Sequence, residues 1–541
     1  MRWLAFSVLL SVGCGAGPET SDTGIDPDRI APHVRFLSHD LLEGRGVGGR
    51  SEALATEYLA AQLSLAGAHP AAADGTYFQS VPLVEITSQP GSVLELAGRT
   101  AKPLDEYVGN NERQTGREVF DAEIVYVGHG INAPEFDWDD YKDVDVTGKV
   151  VLLFTNEPPS DEEGFFGGRA LTYYGRWTFK YEEAARRGAI GALIVHTDET
   201  AGYPWDVVRN SWSGSQPYIE VEEGEYRLAL AGWLHSSAAQ SLFEASPATS
   251  GKSLSELLDM ANHPGFRPIP LGVEARADLR SAIIPIETRN VLAKIEGSDP
   301  VLKDEAVLYT AHWDHLGMHD VGEGNDGIYN GAVDNATGCS VVLEIARAFG
   351  QMPVAPARTI LFAFVGAEES GLIGSAYYAA NPVIPMGRTA VNLNFDGLFP
   401  FGAMGDFSLP GHERTSLKGL VEALARDFSV ALTPDAHPEQ GYYYRSDHFS
   451  LAKQGVPAFS VKTGSTYLGR PDGWGEDRVA EYRSQHYHQP SDEYREDWDF
   501  TGIADLGRFG FELGRLVANQ PDLPGWNPGD EFLAARERSL R

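Results

Sequence analysis

The sequence predicts an α/β protein: a mostly parallel central sheet flanked by helices, interrupted by an inserted β-rich unit. Two observations support this fold class. After Glu287, continuous apolar runs such as residues 306–310 and 358–366 alternate with amphipathic helical stretches. Strands of a parallel sheet have this apolar character because helices cover both faces. Between residues 118 and 284 the pattern changes to β-type runs with one clear helix–strand pair.

Length and charge limit what the chain can do. A chain of 541 residues is too long for one core, and about three domains are expected at this length. The 42% hydrophobic content is enough to build large cores. With 43 basic and 77 acidic residues, the net charge is -34, which disfavours binding to nucleic acid or to anionic lipid surfaces. We interpret this charge as a contribution to solubility.

The first 14 residues predict a lipoprotein-type signal peptide. Arg2 precedes an apolar run over residues 3–12, which suits a secretory signal and is too short to cross a bilayer. Cys14 follows a small residue and precedes a polar linker over residues 15–30, so we expect cleavage and lipidation at Cys14. Simple export stays open, because Leu10 lies one place further upstream than in the usual motif. The expected location is the bacterial cell envelope, as an outer-membrane lipoprotein or in the periplasm, or the exterior.

Two helices of the main domain are predicted from apolar spacing. The first covers residues 51–65, begins at Ser51 and directs one apolar face toward the sheet; that face consists of Leu54, Tyr58, Ala61 and Leu65. The second covers residues 336–349 and contains Cys339, which we expect to act as a small buried hydrophobe.

Metal-binding residue types follow the first strong strand signal. His312 and Asp314 come directly after the run 306–310, and a glycine-rich loop then leads to Asp334. Imidazole and carboxylate are ordinary zinc ligands, and a further carboxylate can accept the other N–H of a ligand histidine. In open α/β sheets, chemistry gathers beyond the carboxyl ends of the strands. The sequence therefore predicts a metal site at this edge.

Later strand ends carry matching residues. Glu368 and Glu369 follow a buried strand, where two adjacent carboxylates raise each other's pKa unless a positive charge lies nearby. A divalent cation removes this conflict: one glutamate can ligate it while the other holds or deprotonates a water. Asp396 closes the next apolar run, and His488 lies in YHQPSDE, where Asp492 is close enough in sequence to be its partner. Together these residues predict a metal centre.

The motifs HxDH, GAxDNxxG, AEExGLxGS, NxDG and YHxPxDE occur in this order. This set resembles the co-catalytic di-zinc aminopeptidases of the bacterial leucyl aminopeptidase type, whose superfamily also includes glutamate carboxypeptidases and glutaminyl cyclases. The resemblance covers about residues 31–115 and 285–520. The region between these two parts resembles the protease-associated domain, a β-rich module, and this implies a role as a lid. The predicted divisions are a signal peptide (1–14), a linker (15–30), the first part of the peptidase domain (31–117), the insert (118–284), the main part of the peptidase domain (285–520) and a C-terminal tail (521–541).

The resemblance implies two zinc ions per chain and a role for each matching residue. It implies His312 and Asp396 on one zinc, Glu369 and His488 on the other, Asp334 as the bridge, Glu368 as general base, Asp314 as the residue that orients His312, and Tyr487 as a donor to the oxyanion. It also implies a cis peptide after Asp334. Asp447 and His448 match a motif near the family's active site, where they either contact substrate or brace the loop.

The expected function is that of an exported zinc aminopeptidase that acts on peptides and contacts membrane only through Cys14. A zinc carboxypeptidase or dipeptidase stays open; it would need a cation such as Arg445 to bind the substrate's carboxylate. A metal-free binding or receptor protein would have lost ligands that are all present here. A one-zinc glutaminyl cyclase is disfavoured by the two-metal motif set and by the insert. Oligomeric state and side-chain preference stay open.

Overall fold

The computed structural model describes residues 23–541 except 163, 164, 202, 203, 213, 222–224, 320, 321, 323 and 436. The predicted signal peptide with Cys14, and the linker up to residue 22, lie outside the described residues. Within the described part of the chain, every helix is too short or too polar to cross a bilayer. The predicted α/β class is confirmed.

The helices flank two connected sheets. In chain order they are α1 (Pro27–Leu37), α2 (Arg50–Leu65), α3 (Trp177–Arg186), α4 (Asp198–Ala201), α5 (Trp205–Trp212), α6 (Ser236–Ala245), α7 (Leu254–Ala261), α8 (Thr337–Gly350), α9 (Ile373–Ala380), α10 (Lys418–Asp427), α11 (His448–Lys453), α12 (Trp474–Gln485), α13 (Thr501–Ala518) and α14 (Leu533–Ser539).

The strands range from two-residue pairs to one very long strand. They are β1 (His69–Pro70), β2 (Phe78–Ser88), β3 (Val93–Leu96), β4 (Arg99–Thr100), β5 (Tyr107–Asn110), β6 (Arg117–Tyr126), β7 (Asn132–Ala133), β8 (Trp138–Asp139), β9 (Val150–Phe154), β10 (Gly191–His196), β11 (Ser215–Ile219), β12 (Leu230–His235), β13 (Ile269–Ile295), β14 (Ala306–His312), β15 (Gly317–Met318), β16 (Ile328–Tyr329), β17 (Thr359–Val365), β18 (Thr389–Phe395), β19 (Asp406–Ser408), β20 (Ala431–Leu432) and β21 (Ala458–Thr463).

The first sheet has a parallel centre with antiparallel edges. Strands β17, β14, β18 and β21 lie side by side and run parallel. Beyond β17 the sheet continues through antiparallel β13, β2 and β11, and beyond β21 through β19 and β20. Alternate side chains of β14 enter different cores: Tyr309 packs with α8 and α13 residues, and Leu308 packs on the opposite face. Helices therefore cover both faces of the parallel centre, as its apolar sequence requires.

The second sheet starts earlier in the chain than the predicted insert. Its order is β4, β3, β13, β6, β9, β10, β12 and β5, with β6, β9, β10 and β12 parallel. Strands β3 to β5 precede residue 118, and Leu94 and Tyr107 pack into this sheet's core. Their partners lie far along the chain, so local sequence gave no sign of the pairing. The identity of this unit as a protease-associated domain stays a prediction.

One strand belongs to both sheets. The first half of β13 pairs with β3 and β6 in the second sheet, and its second half pairs with β2 and β17 in the first. The predicted boundary at residues 284 and 285 therefore falls inside a continuous 27-residue strand. Strand β11, although surrounded in sequence by second-sheet elements, pairs with β2 of the first sheet. The two units are thus connected by strand pairing as well as by the chain.

Helix α2 buries a different face from the predicted one. Leu54 is 40% exposed and Leu65 is 81% exposed, whereas Ala55, Leu59 and Leu63 are fully buried. The predicted set of residues and the buried set both have helical spacing. Spacing alone therefore could not show which of the two faces is buried. A buried contact selects the face: the carboxylate of Glu52 accepts hydrogen bonds from the Gly48 N–H and from the Thr288 hydroxyl on β13. The helix begins after Gly49, so Ser51 is not its N-cap.

Both chain ends of the described region pack onto the first sheet. Ile25 and Ile30, inside the predicted linker, are buried in the main core. The predicted C-terminal tail is also part of the fold, because α14 lies within it and Trp526 is buried. The guanidinium of Arg536 is buried there and donates to the carbonyls of Met386 and Thr389. Residues 521–541 therefore cover the end of the sheet.

Candidate metal centre

The predicted metal residues meet at the carboxyl ends of three neighbouring parallel strands. His312 is the last residue of β14, Glu368 and Glu369 follow β17, and Asp396 follows β18. Asp334 lies just before α8, and the peptide bond after it is cis, as the resemblance implies. Donor atoms of His312, Asp334 and Asp396 all lie within 4.8 Å of one another. The strand order thus gathers residues that are distant in sequence.

One imidazole faces two carboxylates in the first half of the cluster. Nε2 of His312 lies 3.1 Å from Oδ1 of Asp334 and 3.3 Å from Oδ1 of Asp396. The His312 ring is fully buried. Burial alone lowers a histidine pKa, but Glu368, Asp334 and Asp396 outweigh it and raise the pKa of His312 well above its usual value. This environment strongly favours a positive charge.

The second half of the cluster is built around the other oxygen of Asp334. Nε2 of His488 lies 3.3 Å from Oδ2 of Asp334 and 3.0 Å from Oε2 of Glu369. Burial lowers the pKa of His488, but Glu369 and Asp334 outweigh it and raise the pKa to about 10. The two oxygens of Asp334 therefore face different histidines, which is the arrangement of a carboxylate that bridges two cations.

Asp314 contributes to the site differently from the prediction. Its backbone carbonyl, at 3.2 Å, contacts Nδ1 of His312, whereas its carboxylate oxygen lies 3.8 Å away. The carboxylate instead accepts hydrogen bonds from the backbone N–H groups of Glu368 and Glu369, at 3.1 and 3.4 Å. Burial raises the pKa of Asp314 to about 7. Asp314 therefore fixes both the ring of His312 and the turn that carries the two glutamates.

Asp492 does not contact His488, contrary to the prediction from their closeness in sequence. Its carboxylate accepts from the backbone N–H groups of Val333 and Asp334, at 3.0 and 3.2 Å, and from the Tyr482 hydroxyl, at 3.0 Å. His488 has a left-handed backbone conformation with φ of 56°, so the chain turns between the two residues. Asp492 therefore holds the backbone of Asp334.

His315 is a site residue to which the prediction gave no role. Its Nδ1 lies 2.6 Å from Oε1 of Glu369, and its ring packs edge-on against His488 at 5.6 Å between centroids. Donor atoms of His315, Asp334 and Glu369 also lie within 4.8 Å of one another. The HWDH sequence contained the signal, because its second histidine also follows the strand end.

Residues around the cluster hold its ligands in place. Ser446 donates to Oδ2 of Asp396 at 2.6 Å and accepts from Nδ2 of Asn394 at 2.7 Å. The buried guanidinium of Arg45 donates to the carbonyls of Trp313 and Gly331. Arg45 thereby connects the end of β14 to the loop that carries Asp334, a role that no local sequence pattern indicated.

The neighbouring Asp447 and His448 are fully buried. Neither carboxylate oxygen of Asp447 and neither ring nitrogen of His448 forms a well-directed hydrogen bond to a described residue. Burial raises the pKa of Asp447 to about 7 and lowers that of His448 to about 3. The His448 ring packs edge-on against Tyr443. Of the alternatives left open, this placement favours bracing of the loop.

The donor set fits zinc. The centre offers imidazole nitrogens and carboxylate oxygens, which are the usual ligands of catalytic zinc sites. Nε2 of His488 is buried between two carboxylates without a well-directed hydrogen bond to a described residue. Burial raises the pKa of Glu368 well above its usual value, His312 opposes the rise, and Glu369 adds to it. Divalent cations would accept the lone pair of this nitrogen and reduce the repulsion between the neighbouring carboxylates.

The centre opens into a cavity of about 500 Å³ between the two units. Glu368, Glu369 and His488 line one end of it. The ring of Tyr487 stacks on that of His488 at 3.9 Å, and Tyr487 is 47% exposed and lines the cavity. Arg445 also lines the cavity, and its Nη2 donates to the carbonyl of Gln440 at 2.7 Å. A molecule in this cavity would therefore contact the metal residues directly.

Comparison with known proteins agrees with this geometry. Residues 290–508 match Peptidase family M28. Mouse "Aminopeptidase NAALADL1" is 33% identical over 141 residues, which are 25% of this chain and 17% of that protein. "Leupeptin-inactivating enzyme 1" of Streptomyces exfoliatus is 28% identical over 190 residues, or 34% of this chain and 39% of that protein. This chain thus spans less than half the length of either relative.

Two further similarities cover nearly the whole chain. The "probable leucine aminopeptidase 2" of Aspergillus oryzae is 24% identical over 516 residues, which are 91% of this chain and 85% of that protein. The solved structure of an aminopeptidase from Aneurinibacillus sp. strain AM-1 superposes with a TM-score of 0.53 and 19% identity, over 94% of this chain and 98% of that one, and so has the same fold. The chain is thus similar to Peptidase family M28 over residues 290–508, and over nearly its whole length it has the fold of a solved aminopeptidase.

Proposed function

We propose that this protein is a metallopeptidase, an exported aminopeptidase that uses two zinc ions to remove N-terminal residues from peptides. The observation that carries the proposal is the position of Asp334, whose two carboxylate oxygens face His312 on one side and His488 on the other. Several relatives are named aminopeptidases, which supports cleavage at the N-terminal end of the peptide. Export, and attachment to membrane through Cys14, rest on the signal-like N-terminus.

The ligands divide into two sets that share one bridge. In this proposal His312, Asp396 and Asp334 would hold one zinc, and Glu369, His488 and Asp334 would hold the other. His315, at 2.6 Å from Glu369, fixes the orientation of that carboxylate. When bound, zinc would supply the chemistry that polarises a scissile carbonyl and lowers the pKa of water, so that attack would be possible near neutral pH.

Glu368 acts as the general base. It takes a proton from the water that attacks the scissile carbonyl and returns that proton to the nitrogen of the leaving amine as the C–N bond breaks. Its carboxylate belongs to a group of donors within 4.8 Å that includes His312 and Glu369. Because Asp314 holds the Glu368 backbone, the base stays beside the metal ligands without being one of them.

Tyr487 completes the proposed site. Its ring stacks on that of His488, and Tyr487 lines the cavity that substrate would occupy. A donor placed there would stabilise the negative charge that develops on the carbonyl oxygen during attack.

Arg445 gives a specific reason to keep the carboxypeptidase alternative. It lines the same cavity, and a guanidinium is well suited to bind a substrate carboxylate. The two functions differ in the end of the peptide that must be free. We expect cleavage of leucine amide and no cleavage of its N-acetylated form. Efficient cleavage of N-acetylated dipeptides with a free carboxylate would instead establish the carboxypeptidase function.

Two adjacent substitutions test the mechanism. Glu368→Gln should retain zinc and lose at least about 10²-fold in kcat/KM, because it removes only the base. Glu369→Gln should lose zinc as well as activity, because it removes a ligand. The measurements are elemental analysis of the purified proteins and kinetics on leucine amide. Unchanged turnover in Glu368→Gln would contradict its assigned role, and a zinc content near zero in the unaltered protein would contradict the metal centre.

A further inference from the structure

The cavity beside the metal centre has a second wall that the proposed mechanism does not use. Besides Glu368 and His488, it is lined by residues of the second unit, among them Glu112, Trp177 and Trp212. A substrate residue held at the metal centre would extend its side chain toward this wall. The residues there should therefore influence which side chains the enzyme accepts.

Glu112 is the unbalanced charge on this wall. Among the described residues, no hydrogen bond or ion pair involves its carboxylate. The other charged groups lining this part of the cavity have partners: Glu182 pairs with Lys453 at 3.1 Å, and Arg176 is also engaged in a contact. Glu112 is partly exposed and lines the cavity.

Aromatic rings line the same cavity as this carboxylate. Trp177 and Trp212 line the cavity with their rings edge-on at 6.0 Å between centroids, and Tyr218 lines it beside them. Ring faces attract cations, and they also pack against the methylene groups of lysine and arginine side chains. A carboxylate in a cavity lined by aromatic rings suits a long side chain with a positive end.

The position of Glu112 separates it from the metal centre. The charged groups that act on its carboxylate are Arg227 and Glu182, not those of the metal-binding cluster. The α-ammonium of a bound peptide lies two bonds from the scissile carbonyl carbon and so stays near the cluster. A lysine or arginine side chain extends further from the scissile bond into the cavity that Glu112 also lines.

We propose that Glu112 binds the basic side chain of the substrate's N-terminal residue, so that the enzyme prefers peptides beginning with lysine or arginine. This inference rests on the proposed aminopeptidase function. Burial raises the pKa of Glu112 to about 7, Arg227 opposes the rise, and Glu182 adds to it. An ionised carboxylate held in this way is stabilised when a cation binds beside it.

The test compares lysine, arginine and leucine amides as substrates of the zinc-loaded full-length enzyme. The unaltered enzyme should show higher kcat/KM for the two basic amides. Glu112→Gln should lower kcat/KM for the basic amides by about 10- to 100-fold, the scale of a charge-assisted hydrogen bond, and change leucine amide less than about threefold. Glu112→Asp should retain part of the preference.

Glu244→Gln is the matched control. Glu244 is an exposed carboxylate on α6 of the same unit, where it accepts from Gln240 and does not line the cavity. It should leave all three rates unchanged. Thermal unfolding and zinc content should be the same in every variant, which excludes a folding effect.

Three results would overturn the inference in distinguishable ways. Equal rates on leucine and basic amides in the unaltered enzyme would remove the basic preference while leaving the aminopeptidase function intact. An equal loss on all three amides in Glu112→Gln would show that Glu112 binds the α-ammonium instead. No cleavage of any amide by the zinc-loaded enzyme would overturn the proposed function, and this inference with it.

Discussion

Two buried polar clusters, one in each unit, differ in where their positive charge comes from. In the second unit, Lys180 is fully buried near Asp140 and Glu157, and each of these groups also has hydrogen bonds to the protein. At the metal centre, the carboxylates of Asp334, Asp396 and Glu369 lie close to the imidazoles of His312 and His488. Imidazoles are positively charged only when they are protonated. The first cluster supplies its own counter-charge, whereas the second is built to receive one.

The pKa values reflect this difference. Burial lowers the pKa of Lys180 to about 7, and the negative charges of Asp140 and Glu157 oppose this fall. The positive and negative charges of this cluster therefore come from the protein itself. At the metal centre Glu369 has its pKa lowered to about 2, because His488 and His315 outweigh the effect of burial. Internal balance is typical of a structural network. Carboxylates that depend on ionised histidines are typical of a ligand site, where a metal can take the place of protons.

The largest expected effect comes from breaking the bridge. Asp334→Asn removes the shared ligand, so we expect zinc content to fall and kcat/KM to drop by about 10³-fold, which corresponds to several kcal/mol of lost metal stabilisation. Elemental analysis and kinetics on leucine amide measure both. Full zinc content with ordinary activity would show that the centre does not depend on Asp334.

The corresponding change in the second unit should affect stability instead. Lys180→Met leaves Asp140 and Glu157 without their buried cation, and we expect the free energy of unfolding to fall by about 2–4 kcal/mol. Urea unfolding measures this change. Zinc content and kcat/KM of the folded protein should stay the same, and a loss of zinc in this variant would end the distinction between the two clusters.

A smaller effect concerns protons. The pKa of His488 is raised to about 10 and that of His312 is raised well above its usual value, so both rings hold a proton more strongly than free imidazole does when no metal is bound. Zinc needs neutral imidazole, and its binding should release about two protons and become tighter as the pH rises. Calorimetry in buffers of different ionisation enthalpy counts the protons. Release of none would mean that these histidines are not the ligands.

The sequence predicted the parallel centre and its polar edge well, for a physical reason. Strand β14, strand β17 and strand β18 are buried on both faces, so their apolar runs are distinct, and a polar residue directly after such a run can only lie at the strand end. His312, Glu369 and Asp396 were therefore identifiable from local sequence. Their meeting then followed from the neighbouring positions of the strands.

Other features depend on contacts that local sequence does not encode. Arg45 is fixed by carbonyls almost 300 residues away, and Asp492 holds the backbone of Asp334 through a loop whose turn could not be predicted. The buried face of α2 was set by Glu52 and its partner on β13. His315 stood in the predicted motif, but its contact with Glu369 depends on the turn that Asp314 fixes.

The length of β13 has a consequence for how the enzyme can move and be altered. One continuous strand is hydrogen-bonded first into the second sheet and then into the first. This pairing restricts rotation of one unit relative to the other. The wall that carries Glu112 should therefore keep its distance from the catalytic edge rather than swing on a hinge. Excising the second unit would also cut β13, the strand that borders β17. The two units should therefore be kept together in any altered form of this protein.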